Sequence, residues 1–172
     1  TFGTIAAINR GSFVDRLVMT ASFVGVSAPQ FVAALLLLYL FAVTLGWFPN
    51  GYAADPSLDP AFSLQYIGSL AYHGILPMVT LCTVLIGGFT VTMRNNMINL
   101  LGEDYIVMAR AKGLSDRHVM LWYAARNALL PTVSSLAIAI GTILGGSLVT
   151  EVVYNYPGLG NILYQAILAR DY

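Results

Sequence analysis

Three long runs without a single Asp, Glu, Lys or Arg set the pattern of this chain: residues 17–54, 60–93 and 127–150. A helix needs about 20 residues to cross hydrocarbon, so each run is long enough. Lipid offers the backbone no water to bond, so spans of this kind must be helical. The pattern predicts membrane spans near 21–46, 74–93 and 128–150. The opening "TFGTIAAI" reads as the end of an earlier span. In the first span, "SAPQF" holds Pro29, which should kink or start a helix, and Gln30, a tolerated polar residue. The third is rich in small residues (Ser134, Ser135, Gly141, Gly145, Gly146, Ser147), which let helices approach closely within a bundle.

The polar connections orient these spans. Arg10 and Arg16 fall in 9–20, whereas 47–73 carries Asp55 and Asp59 and no base. Arg94, Arg110, Lys112, Arg117 and Arg126 fall in 94–127, and the tail after 150 has only Arg170, beside Glu151 and Asp171. Basic loops face the cytoplasm. Hence 9–20 and 94–127 are expected inside, and 47–73 and 151–172 outside, an alternation that three spans satisfy. Trp47, Phe48 and Tyr52 of the outer loop suit an interfacial belt.

Composition agrees. Of 172 residues, 58% are hydrophobic and only 9% charged, where soluble domains carry about 25% charged residues. Mean hydropathy is +0.74. The formal net charge of zero decides nothing, because the placement of the charges carries the information. Cys82, the single cysteine, can form no intrachain disulfide and reads as core filler. No charged n-region with a cleavage site opens the sequence, so no signal peptide is expected.

The basic loop carries the most specific local pattern. "EDYIVMARAK" begins with Glu103 and Asp104 and ends with Arg110 and Lys112, as the helix dipole prefers. Gly113 is placed to end that helix in a left-handed cap. Ser115 can cap a second helix with Asp116 in its first turn. There Val119, Trp122, Tyr123 and Arg126 recur at helical spacing as an apolar stripe with charge beside it. Ala109 and Gly113, four apart, should share a face and leave a shallow patch. A positive loop lying on anionic headgroups is one reading. A docking helix for a cytoplasmic partner is the other, and it also explains the small residues.

"DYIVMARAKGL" followed by "RNALLP" resembles the cytoplasmic signature of ABC importer permeases, specifically the dipeptide/oligopeptide (and nickel) group. In the wider importer signature, Glu-Ala-Ala is followed by three residues, then Gly, then a more distant Pro. Ala109 and Gly113 match its second Ala and its Gly, while Val107 stands at the Glu position. The tail "GGSLVTEVVYNYPGLGNILYQAILARDY" and "SAPQFVAALLLLYLFAVTLGWFP" are similar to the same group. The resemblance implies an all-α, polytopic transmembrane bundle, here one permease domain over 1–172. It would hold about three full spans, the end of an earlier one and a cytoplasmic coupling helix around 105–115.

The resemblance further implies a second permease subunit, two ATP-binding cassette ATPase subunits and an extracytoplasmic solute-binding protein, all at the inner membrane. Asp104, Ala109, Arg110, Ala111, Lys112, Gly113, Leu114 and Ser115 would couple to the ATPase. Glu151, Pro157, Gly158 and Gly160 would form an outer-side motif, with Glu151 either a carboxylate in interfacial water or a contact for the binding protein. Family members have about six spans, so the chain as given is not expected to transport alone.

No HExxH, GxSxG or Walker Gly-rich Lys-Ser/Thr pattern occurs. No catalytic residue, metal ligand or cofactor is therefore expected, and ATP would be bound by the partners. His73 and His118 fall on opposite sides and cannot share a metal. Nucleic-acid binding does not suit a basic cluster tethered between spans. The alternatives are a nickel permease of the same group and an ion-coupled secondary transporter, although mid-membrane charges and repeated halves are missing. In the tail, Ile162, Leu163, Ala166 and Ile167 make one apolar face, too short to span, which is expected to lie as an interfacial or re-entrant helix.

Overall fold

A computed structural model describes residues 2–144 and 147–171. The described residues form helices and no strand. They divide into two compact units, one of residues 1–27 and 85–139 and one of 28–84 and 140–172.

In the first unit, α1 (Phe2–Ile8) and α2 (Phe13–Ser27) pack beside the C-terminal half of α4 (Leu64–Leu100). Close approach is set by two glycines. A Cβ at Gly3 would meet the Thr90 carbonyl at 2.5 Å, and one at Gly87 would meet the Ser22 carbonyl at 2.7 Å. Asp15 is 4% exposed and receives a bidentate pair from Arg94, Nε at 2.7 Å and Nη2 at 2.8 Å. The Gly11 amide donates to the same carboxylate at 2.9 Å. With Arg94 beside it, the Asp15 carboxyl, which precedes the first predicted span, is held down at about 2.

The second unit holds α3 (Gln30–Leu37), which continues into a π-helical turn over Leu38–Thr44, together with α8 (Leu148–Val153) and α9 (Leu159–Ala169). Its core gathers Ala34, Ala42, Leu76 and Tyr154. Tyr154, 1% exposed, donates to the Ala34 carbonyl at 3.2 Å and lies 2.8 Å from the Thr80 hydroxyl. Gln30, read as merely tolerated, donates to Ser147 at 2.9 Å and Thr150 at 2.7 Å.

The expected spans fit these helices unevenly. The 74–93 span lies inside α4, which at 37 residues runs through Arg94 to Leu100. Proline at 77 is accommodated within it. The 21–46 span is interrupted: α2 ends at Ser27 and α3 starts after Pro29, which stands at its N-cap with extended backbone. Proline lacks the amide that would continue α2, and its neighbour is pushed out of helical conformation. The 128–150 span overlaps α7 (Ala125–Leu144) and the start of α8. Gly145 and Gly146 of the predicted small-residue set lie outside the described residues.

Among the described residues, α4 alone is an unbroken helix long and apolar enough to cross a membrane; the Phe13–Ser27 and Gln30–Thr44 pair meets the same measure taken together. Only 28% of the most apolar stretch of α4 is buried, unlike the core helix of a soluble domain. Its Ile86 and Met78, with Val24, Leu36, Leu130 and Ile138 elsewhere, stay exposed. Apolar surface on this scale needs a non-aqueous surround or a partner.

Candidate functional site: a basic helical turn and a carboxylate clasp

The basic segment follows α4 directly. Helix α5 (Asp104–Ala111) has Glu103 at its N-cap with extended backbone and Arg110 in its last turn. It closes in a Schellman arrangement: the Gly113 amide donates to the Arg110 carbonyl at 2.9 Å and the Leu114 amide to the Ala109 carbonyl at 3.4 Å. Gly113 takes φ +80° there, a conformation that a side chain would strain. Ser115 is the N-cap of α6 (Asp116–His118), yet its side chain makes no capping bond. The position expected for the cap is right and the bond expected of it is absent.

A shared core fixes the turn to its unit. Ile106, Ala109, Val119, Met120, Ala124, Ala125 and Ala128 pack with Met93 and Met97, and Leu114 lies partly buried against them. Ala109 is therefore 4% exposed and faces inward, so the expected Ala109–Gly113 docking patch does not exist as one surface. Four residues of helix bring Ala109 back over the chain's own core, while the left-handed cap carries Gly113 out into open space. The outward face of α5 is instead Val107, Met108, Arg110, Ala111 and Lys112, with Asp104 exposed at its start. Arg110 pairs with Asp116 at 3.1 Å across the turn. An exposed pair of this kind adds little stability, but it orients the guanidinium.

The predicted stripe of Val119, Trp122, Tyr123 and Arg126 also divides. Val119 is fully buried whereas Trp122 is 64% exposed. Residues Val119–Ala124 form a π-helical turn, with the Ala125 amide bonding to the Met120 carbonyl five residues back. The wider turn shifts the buried set to 119, 120, 124 and 125, so the 3.6-residue spacing used to read the stripe does not hold there. Trp122 and Tyr123 are turned outward beside His118, their rings 6.3 and 6.1 Å from its imidazole.

Glu151, expected as a carboxylate in interfacial water or a contact for the binding protein, is bonded within the chain. One carboxylate oxygen accepts from the Ser147 amide at 2.9 Å, at the start of α8, and the other from the Asn161 amide at 2.8 Å, in the first turn of α9. A carboxylate joining two helix N-termini satisfies amides that helical bonding leaves orphaned, with favourable dipoles. Gly158 and Gly160 make the approach possible. A Cβ on Gly158 would overlap the Glu151 carboxylate, and one on Gly160 would stand 2.7 Å from Leu148 Cα. Pro157 is exposed in the connecting turn. Ser147, Asn161 and Gln30 are the members sequence reading missed; the serine four residues before Glu151 was the available signal.

Among the described residues, no three His, Cys, Asp or Glu side chains group as a metal site. Over residues 1–172 the sequence matches the family of binding-protein-dependent transport system inner membrane components. The chain belongs to this family. The family places it at the inner membrane. It is similar to the di/tripeptide transport system permease protein DppB of Pseudomonas aeruginosa (strain UCBPP-PA14), 38% identical over 99% of this chain and 54% of that protein. It is 36% identical to the oligopeptide transport system permease protein AppB of Bacillus subtilis (strain 168), over 99% of the chain and 52% of the relative. The glutathione transport system permease protein GsiC of Escherichia coli (strain K12) is 39% identical, over 99% and 51%. The chain spans about half the length of these relatives.

Proposed function

We propose that this chain forms part of the permease subunit of an ATP-driven importer that moves peptides across the inner membrane. The carrying observation is that three relatives named for di/tripeptide, oligopeptide and glutathione transport match almost the whole chain at 36–39% identity. Glutathione is itself a small peptide, so the three names share one substrate chemistry. The partners would be a second permease, two ATPase subunits and an extracytoplasmic solute-binding protein. The permease would bind no cofactor itself, ATP being held by the ATPases.

In this reading the single domain 1–172 contributes spans near 21–46, 74–93 and 128–150. Segments 9–20 and 94–127 face the cytoplasm, and 47–73 and 151–172 face outward. The outward face of α5 with Gly113 would seat in the ATPase. Because α5 is fastened to Met93, Met97 and Ala128 on the two flanking helices, a push on it would move both helices together. Such a device transmits force only if its contacts differ between two states of the ATPase.

Two measurements test this. Gly113→Trp in the intact permease should abolish co-purification with the ATPase and its stimulation, while leaving the permease in the membrane. An intact, stimulated complex would refute the docking role. Reporters at Asp55 and Lys112 should fall on opposite sides of the membrane; the same side for both would overturn the topology.

A further inference from the structure

A cleft of about 790 Å³ opens on the first unit between His118, Trp122, Tyr123, Arg126 and Asn127. No carboxylate lines it. Arg126 has no ion-pair partner among the described residues, and the nearest acid in sequence, Asp116, is engaged by Arg110. Asn127 donates its amide to the Tyr105 hydroxyl at 3.2 Å, which turns its carbonyl oxygen into a fixed acceptor. The π turn over Val119–Ala124 holds Trp122 and Tyr123 outward, although both are apolar enough to have packed inward. Directly after Arg126 come 24 residues without charge. The cleft therefore marks the level where a helix passes from polar surroundings to apolar ones.

We propose that this cleft binds the headgroup of an anionic glycerophospholipid, with Arg126 on the phosphate. Each observation has its counterpart in that ligand. A guanidinium fits phosphate oxygens in bidentate fashion. Trp and Tyr belong at the headgroup level, with ring bodies against glycerol and acyl carbon. The Asn127 carbonyl can accept from a headgroup hydroxyl, as in phosphatidylglycerol. A protein partner would need an acidic, aromatic-complementary surface at bilayer height, and nothing in the cleft calls for one. The assignment to the inner leaflet rests on the topology proposed above.

The test uses the intact permease in bilayers, with Trp47→Phe, and Phe at any further tryptophan, so that Trp122 reports alone. Acyl-brominated phosphatidylglycerol and phosphatidylcholine are compared as quenchers at equal mole fraction. A single cation near an anionic surface supports about a fivefold preference. The expected result is that preference for phosphatidylglycerol, lost in Arg126→Gln, largely kept in Arg126→Lys, and unaffected by added inorganic phosphate. Retention in the Lys variant separates loss of charge from misfolding. Equal quenching by both lipids would overturn the headgroup site while leaving the cleft at the bilayer. Competition by inorganic phosphate would reassign it to a soluble anion. No quenching by either lipid, with emission that shifts on adding the ATPase, would move the cleft to a protein interface and refute its placement at the membrane.

Discussion

Gly160→Ala should destabilise the protein by about 2–3 kcal/mol, read as a fall in melting temperature in detergent. Helix propensity alone argues the opposite, because alanine is favoured over glycine inside a helix by about 1 kcal/mol. What decides is the contact. The new methyl would meet the Leu148 backbone, Cα at 2.7 Å and N at 2.8 Å. Backbone cannot swing aside as a side-chain tip can, so α8 and α9 would have to separate and pull Glu151 off the Asn161 amide. Gly158→Ala acts on the other side of the clasp. Its backbone, at φ −112°, accepts any residue, and the obstacle is the Glu151 carboxylate itself, which can move. Moving it gives up charged hydrogen bonds to Ser147 and Asn161, each worth about 1.5–3 kcal/mol.

Glu151→Ala should therefore cost about as much as Gly158→Ala, and the double variant little more than either. Stabilisation by Gly160→Ala, or simple additivity of Glu151→Ala and Gly158→Ala, would mean that the clasp is not what holds the tail.

This clasp shows where the sequence was readable and where it was not. "PGLG" announced a turn, and Glu151 announced a charge at the end of an apolar run. Neither said that the turn exists to bring α9 onto that charge, because the carboxylate's partners are backbone amides, which no residue pattern displays. The cap at Gly113 was legible for the opposite reason: it depends only on local chain geometry, and Gly after a helix ending in Arg and Lys specifies it. The stripe at 119–126 failed because a π turn changes the period on which such stripes are read. Ala109 failed because a small residue fits a partner's cleft and a chain's own tight core equally well. Charge-free windows mark apolar stretches but not the helix ends within them, and the break between α2 and α3 follows from Pro29, not from hydropathy.

Asp15 and Arg94 lie 79 residues apart, and counting loop charges had used Arg94 only as a marker of sidedness. Asp15→Ala should cost about 3–5 kcal/mol, because it leaves a half-buried guanidinium without its carboxylate. Arg94→Met should cost a similar amount by stranding the carboxylate. A Asp15→Leu/Arg94→Met double variant replaces both charges with apolar volume and should recover most of the loss, which a mere packing defect would not do.

The pair also fixes a pH dependence. Arg94 holds the folded Asp15 carboxyl at about 2, against an ordinary value of 3.8. A carboxyl with a depressed folded pKa binds fewer protons folded than unfolded in this window. Its contribution is therefore complete above about pH 5 and declines as pH falls from there toward 2. Melting temperature followed from neutral to acid pH should drop through that window in the wild type and drop less in the double variant. Parallel curves for the two proteins would show that the pair does not contribute to the acid sensitivity. Such a result, with single variants that melt like wild type, would remove Asp15–Arg94 as the fastening between α2 and α4.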